Sequence, residues 1–221
     1  MMAVPDRPKI YHIVHVNNLA SIVGDGYLWS DSEMNKRGGP PANIGMPSIK
    51  SARLEMQVGC HPHTFVGQYV PLNFCPRSVM LNIIWYANHP NLVYRGGQGP
   101  IIHLEADLFK AIEWAEENNH PWAFCLGNAR AAYASFRSSV NELSEINWQA
   151  VAARDFRNPD TKEAKQAEFL LKNKFPWGLI ERIGYLDRPL LPPSGVLASI
   201  TDALKGAAHR PVVEKCSDWY Y

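Results

Sequence analysis

The chain has 221 residues, 46% hydrophobic and 19% charged, with a formal net charge of +1 and a pI near 7.7. That length and apolar content suffice for one sizeable core, read as a single domain over residues 1–221. The near-neutral charge excludes a globally basic polyanion binder, so any nucleic-acid site must be a local grouping of Arg and Lys. Four cysteines without a CxxC pair, Cys60, Cys75, Cys125 and Cys216, point to reduced thiols and a cytoplasmic setting. There is no apolar run of the roughly 20 residues a bilayer demands, and the polar Met1–Pro8 segment is not a signal peptide.

In chain order, Lys9–Val16 alternates apolar and polar residues as a half-buried strand does, and Asn17-Asn18 then offers an N-cap. Leu19, Ile22 and Val23 share one face of the helix that follows, which Gly26 closes. Residues 31–65 are rich in Gly and Pro and weakly periodic, a functional surface excursion with one short helix after Pro47 that carries Lys50 and Arg53 on one face. Tyr69–Phe74 reads as a strand and Val79–Ala87 as a short helix; Gly96–Pro100 is a loop, Ile101–Glu105 a strand, Asp107–Asn118 an amphipathic helix and Trp122–Leu126 a strand. Residues 128–160 lack periodicity and mix Tyr133, Phe136 and Trp148 with Arg130, Arg137, Arg154 and Arg157, a composition that suits unstacked bases. Ala167–Leu171 and Glu181–Tyr185 are strands, and Val212–Lys215 is an edge strand.

Among chemically capable residues, His12 and His15 lie three apart on one strand, so only one of them can face a given cleft; each is read either as structural or as a partner for a ribose hydroxyl. Cys60-His61-Pro62-His63 crowds three metal-type ligands without the second pair that a tetrahedral zinc site needs, and no metal is expected. Gly96-Gly97-Gln98-Gly99 matches neither a P-loop nor a Rossmann turn. Glu168 stands in an otherwise apolar strand with Gln166 and Leu170 on its face, where a carboxylate faces solvent, a partner or a cleft.

Taken together, Tyr11-His12-Ile13-Val14-His15 with Leu19, Ile22 and Gly26, then Val70–Met80 with its Asn73-Phe74-Cys75-Pro76-Arg77, the Tyr94–Ile101 loop, and Lys165-Gln166-Ala167-Glu168-Phe169-Leu170 resemble the DarT family of DNA ADP-ribosyltransferase toxins. The resemblance runs from Pro8 to Tyr221. It implies an α+β fold, an ADP-ribosyltransferase-like (poly(ADP-ribose) polymerase-like) split mixed β-sheet with surrounding helices. It also implies NAD+ as the ADP-ribose donor, single-stranded DNA as acceptor with thymidine as the modified base, and a macrodomain antitoxin (DarG-like) as partner. Under it, Glu168 is the catalytic carboxylate and Arg53 the catalytic arginine, with Lys50 its rival in a segment that aligns only with gaps. NAD+ contacts fall to His12, His15, Asn18, Tyr69, Phe74 and Arg77, and DNA contacts to Tyr94, Arg95, Trp148 and Arg154. The competing readings are a transferase or NAD-dependent 2′-phosphotransferase acting on RNA or protein, a non-catalytic NAD+ or single-strand binding module, and an interaction protein docking through its aromatic residues.

Overall fold

The structure is a computed structural model and describes residues 3–129, 131, 133–186 and 195–221. The first strand, β1 (Lys9–His15), leads through one 3-10 turn into α1 (Leu19–Asp25). The helix stops where Gly26 takes φ +72°, a left-handed conformation that glycine adopts without a Cβ penalty. Next come β2 (Tyr27–Trp29), α2 (Asp31–Lys36) and α3 (Pro47–Glu55). Within the excursion expected over 31–65, α2 was not legible from apolar periodicity because it buries no residue; its signals are polar. Ser30 accepts the Glu33 N–H, and acidic residues open the helix while Lys36 closes it.

The chain continues with β3 (Tyr69–Asn73), α4 (Val79–Tyr86, capped by Ser78), β4 (Ile101–Asp107), α5 (Leu108–Glu117, capped by Asp107), β5 (Trp122–Cys125) and β6 (Phe136–Arg137). The stretch 128–160 expected to be a loop contains β6, a 3-10 segment over Val140–Glu145, α6 (Trp148–Ala152) and the start of α7 (Pro159–Ala164). These elements are too short to establish a period, and each helical one is instead announced by Ser139, Asn147 or Asn158 as its N-cap. Arg130, named with this segment, lies outside the described residues. Then follow β7 (Glu168–Lys172), β8 (Lys174–Pro176), β9 (Ile180–Tyr185), α8 (Val196–Ala203) and β10 (Val212–Lys215).

Eight strands form one sheet in the order β10-β9-β4-β1-β3-β7-β5-β6, while β2 and β8 pair separately. All neighbours in the large sheet are antiparallel except β9 and β10, so the sheet is mixed, and β10 is an edge. β1 pairs with β4 along its whole length, from Lys9 opposite Asp107 to His15 opposite Ile101. Its register with β3 on the other side is Tyr11 opposite Asn73, so the sheet parts beyond that point. Both faces of β7 are buried: Phe169 and Leu171 join the main core with Ile10, Leu72 and Phe124, and Leu170 joins a smaller cluster with Val58, Val66 and Tyr69. Gly67 lets α3 settle against the turn before β3, since a Cβ there would lie 2.6 Å from a Leu54 methyl.

Candidate active site

A cleft of about 470 Å³ opens where β1 and β3 diverge, a size typical of sites that take up small ligands. His12, Pro71, Asn73 and Glu168 line it from the sheet, Met80 and Ile83 from α4, Lys50 and Arg53 from α3, and residues 39–46 form a strap along one side.

Glu168 reaches the cleft because of register. Tyr11 pairs with Asn73, and Asn73 pairs with Glu168, so the cross-strand row that crosses the split ends on the carboxylate. The side chain is buried, and Arg53 Nη1 donates to its Oε1 at 2.6 Å. Burial disfavours the Arg53 charge, but the adjacent Glu168 carboxylate outweighs it and raises the guanidinium above its ordinary value. The second terminal nitrogen, Nη2, is buried without a protein partner among the described residues. Lys50 points elsewhere and pairs with Asp31 at 2.8 Å. Of the two cations on α3, Arg53 is therefore the one beside Glu168.

His12 and His15 separate as strand alternation requires. His12 lines the cleft, and its Nδ1 donates to the Pro71 carbonyl at 2.9 Å, which leaves Nε2 as the acceptor. Burial pushes its pKa below the ordinary value, favouring the neutral ring. His15 lies outside the lining and accepts the Asn17 N–H at the start of the 3-10 turn, a structural cap. Asn18 lines the cleft, yet its amide is engaged at both ends with the strap: Nδ2 donates to the Ala42 carbonyl at 2.7 Å and Oδ1 accepts the Ala42 N–H at 2.8 Å.

Other expected contacts need correction. Tyr69 is buried and shares a hydrogen bond with Thr64, and Phe74 packs edge-on against Trp148, so neither walls the cleft. Trp148 is 3% exposed and donates from its indole nitrogen to the Leu143 carbonyl, leaving no open face on which a base could stack. All three belong to the core because large aromatics bury the most apolar area, and an apolar contact outcompetes exposure at a rim. Arg77 is outside the lining, with its guanidinium over the Tyr221 ring at 4.3 Å. Tyr94 is half-buried beside His15, while Arg95 and Arg154 are exposed. Sequence reasoning missed Asn73, Asn128, Gln166, Met80, Ile83 and the strap; the position of Gln166 two residues before Glu168 was the available signal. In the Cys60–His63 run, His61 donates to the Trp122 carbonyl, and no group of three or more His, Cys, Asp or Glu among the described residues is arranged to hold a metal. Likewise, no helix among the described residues is long and apolar enough to cross a membrane.

The profile of the family described as "ssDNA thymidine ADP-ribosyltransferase, DarT" matches residues 11–221. The chain belongs to the DarT family. The DNA ADP-ribosyl transferase of Thermus aquaticus is 35% identical over 224 residues, covering 100% of this chain and 92% of that protein. The corresponding protein of Mycobacterium tuberculosis is 26% identical, covering 81% and 79%. Among solved structures, Thermus sp. 2.9 DarT in complex with ADP-ribosylated ssDNA superposes with a TM-score of 0.86 at 32% identity, covering 100% of this chain and 99% of that one. The same protein in complex with NAD+ superposes at 0.82 and 31%, covering 99% and 100%. The split mixed sheet is thus the DarT ADP-ribosyltransferase fold, and the DarT chain is an NAD-dependent DNA ADP-ribosyltransferase.

Proposed function

We propose that this DarT chain transfers ADP-ribose from NAD+ to the ring nitrogen of thymidine in single-stranded DNA, releasing nicotinamide. The observation that carries this reading is the Arg53–Glu168 pair, 2.6 Å apart, in a cleft beside a His12 whose ring accepts at Nε2. Cleavage of the nicotinamide–ribose bond builds positive charge at the anomeric carbon, which a buried carboxylate stabilises. The electron pair of that bond leaves with nicotinamide. Glu168 then takes the proton of the thymine ring nitrogen, whose lone pair forms the new bond to the anomeric carbon. Negative charge on the thymine oxygens during that step finds a donor in Arg53 Nη2, the nitrogen without a protein partner. His12 Nε2 accepts from a ribose hydroxyl, Asn18 holds the strap against the dinucleotide, and Arg77, Tyr94, Arg95 and Arg154 meet nucleotides or phosphates outside the cleft. The single-strand requirement is physical, because pairing occupies thymine's ring nitrogen in a duplex.

In its cell this activity makes the chain a cytoplasmic toxin, held in check by a macrodomain antitoxin that removes the modification. Incubating the protein with NAD+ and short oligonucleotides that contain or lack thymine tests the reading by mass spectrometry. The expected result is a gain of one ADP-ribose unit confined to thymine-containing single strands. An unmodified oligonucleotide, or equal modification without thymine, refutes it. In cells, wild-type expression should stop growth and co-expression of a macrodomain hydrolase should restore it.

A further inference from the structure

Backbone pairing between β5 and β7 runs from Trp122 opposite Leu171 to Phe124 opposite Phe169, one residue short of Glu168. The next pair would be Cys125 and Glu168, and there a side chain is the acceptor of the Glu168 N–H. The Glu168 N–H points at Cys125 Sγ at 3.3 Å, and the same sulfur lies 2.9 Å from the Gly127 carbonyl and 3.6 Å from the Glu168 carbonyl. Cys125 is fully buried. Burial, reinforced by the Glu168 carboxylate, pushes its pKa far up, so it remains a thiol with a proton to donate. One group thereby receives the backbone of the catalytic strand and donates to the turn after β5. That turn is also tied to α7, the helix before β7, where the Asn128 N–H donates to the Glu163 carboxylate at 3.0 Å.

We infer that Cys125 is a positioning residue for Glu168: its thiol holds the Glu168 N–H at the end of the β5–β7 ladder and sets where the carboxylate stands relative to Arg53 and the bound nucleotide. The inference rests on the proposed role of Glu168. At this last position the Glu168 N–H is taken by the Cys125 sulfur at 3.3 Å, a distance at which a thiol accepts, before the chain turns at Gly127. A buried N–H at the catalytic residue would otherwise be orphaned, and displacements well under an ångström at a reacting group suffice to slow a reaction.

The experiment compares wild type, Cys125→Ser and Cys125→Ala on single-stranded oligonucleotide with NAD+, measuring kcat and the KM for NAD+ separately and normalising to folded protein by circular dichroism. The expected result is a kcat about 10-fold lower in Cys125→Ala with KM within about twofold of wild type, and recovery of most of that loss in Cys125→Ser, whose hydroxyl can accept and donate in the same place. Hydrogen exchange read by NMR should show the Glu168 amide losing protection in Cys125→Ala while the Leu170 amide keeps it, a pattern that a general loss of packing would not produce. Wild-type kcat in Cys125→Ala, a loss no better in the serine variant than in the alanine one, or uniform loss of protection along β7 overturns the inference. If Cys125→Ala does not fold, the serine variant decides alone: an unprotected Glu168 amide overturns the inference, and a protected one with kcat within about threefold of wild type upholds it. An inactive wild type refutes the proposed function instead, and the amide protection still tests what the thiol holds.

Discussion

The two halves of the central ion pair are built in opposite ways. Glu168 starts a strand that is buried on both faces and paired with β3 on one side and β5 on the other. Arg53 rides on α3, nine residues long, with no buried residue and no side-chain N-cap, held by the approach of Leu54 to Gly67 and by the Lys50–Asp31 pair. A group on a packed strand is located by many independent contacts, whereas a group on a short helix without a buried face is located by a few, since isolated helices of this length are not stable in water. The carboxylate proposed as catalytic thus belongs to the rigid part of the molecule and its cationic partner to a part whose placement is more easily changed.

The largest expected effect comes from the rigid half. Glu168→Gln keeps the shape and removes the proposed base, so kcat should fall about 1,000-fold, or ~4 kcal/mol, with an unchanged circular dichroism spectrum. A variant within tenfold of wild type would remove Glu168 from the chemistry. Acid also strikes the sheet. His103 on β4 is fully buried, donates to the Pro76 carbonyl, and is pushed down to about 4 by burial. Its folded pKa lies below its unfolded value near 6.5, so its contribution is flat above that value and stability declines as pH falls from about 6.5 to 4, by ~3 kcal/mol in all. Denaturant unfolding at pH 7 and pH 4.5 should show most of that loss, and His103→Gln should show less of it.

On the helical side, Arg53→Ala is expected to lower kcat about 100-fold while leaving thermal stability within a few degrees, because the residue contributes to a site and not to the core. A drop equal to that of Glu168→Gln would mean that the two act as one inseparable unit. Gly67→Ala pushes a methyl against Leu54 and tilts α3 without touching the cleft; activity should fall about 10-fold at a stability cost of ~1–3 kcal/mol. The mildest test perturbs nothing: amides of α3 should exchange at least about tenfold faster than those of β7. Equal rates would erase the contrast.

Legibility in the sequence follows the same division. Alternation in Lys9–His15, the short apolar run around Glu168, the polar N-cap Asp107 and the left-handed stop at Gly26 identified strands, helices and their ends because these signals are local. The fold and the family reading rested on motifs spread across the chain, which no one window contains. The pairing of β2 with β8 was not readable, since three-residue strands carry no measurable period.

By itself, the sequence determined that a carboxylate stands in an apolar strand, that a cation-bearing helix follows Pro47, and that His12 and His15 face opposite ways, because these are consequences of period and residue type. Only the tertiary structure decided that Arg53 rather than Lys50 meets Glu168, that Trp148 and Phe74 fill the core, that Asn18 holds the strap, and that Cys125 accepts the Glu168 N–H. Each of those depends on which segments 24 to 115 residues apart come together, and pairing at such separations is set by the packing of the whole sheet, which no local pattern encodes.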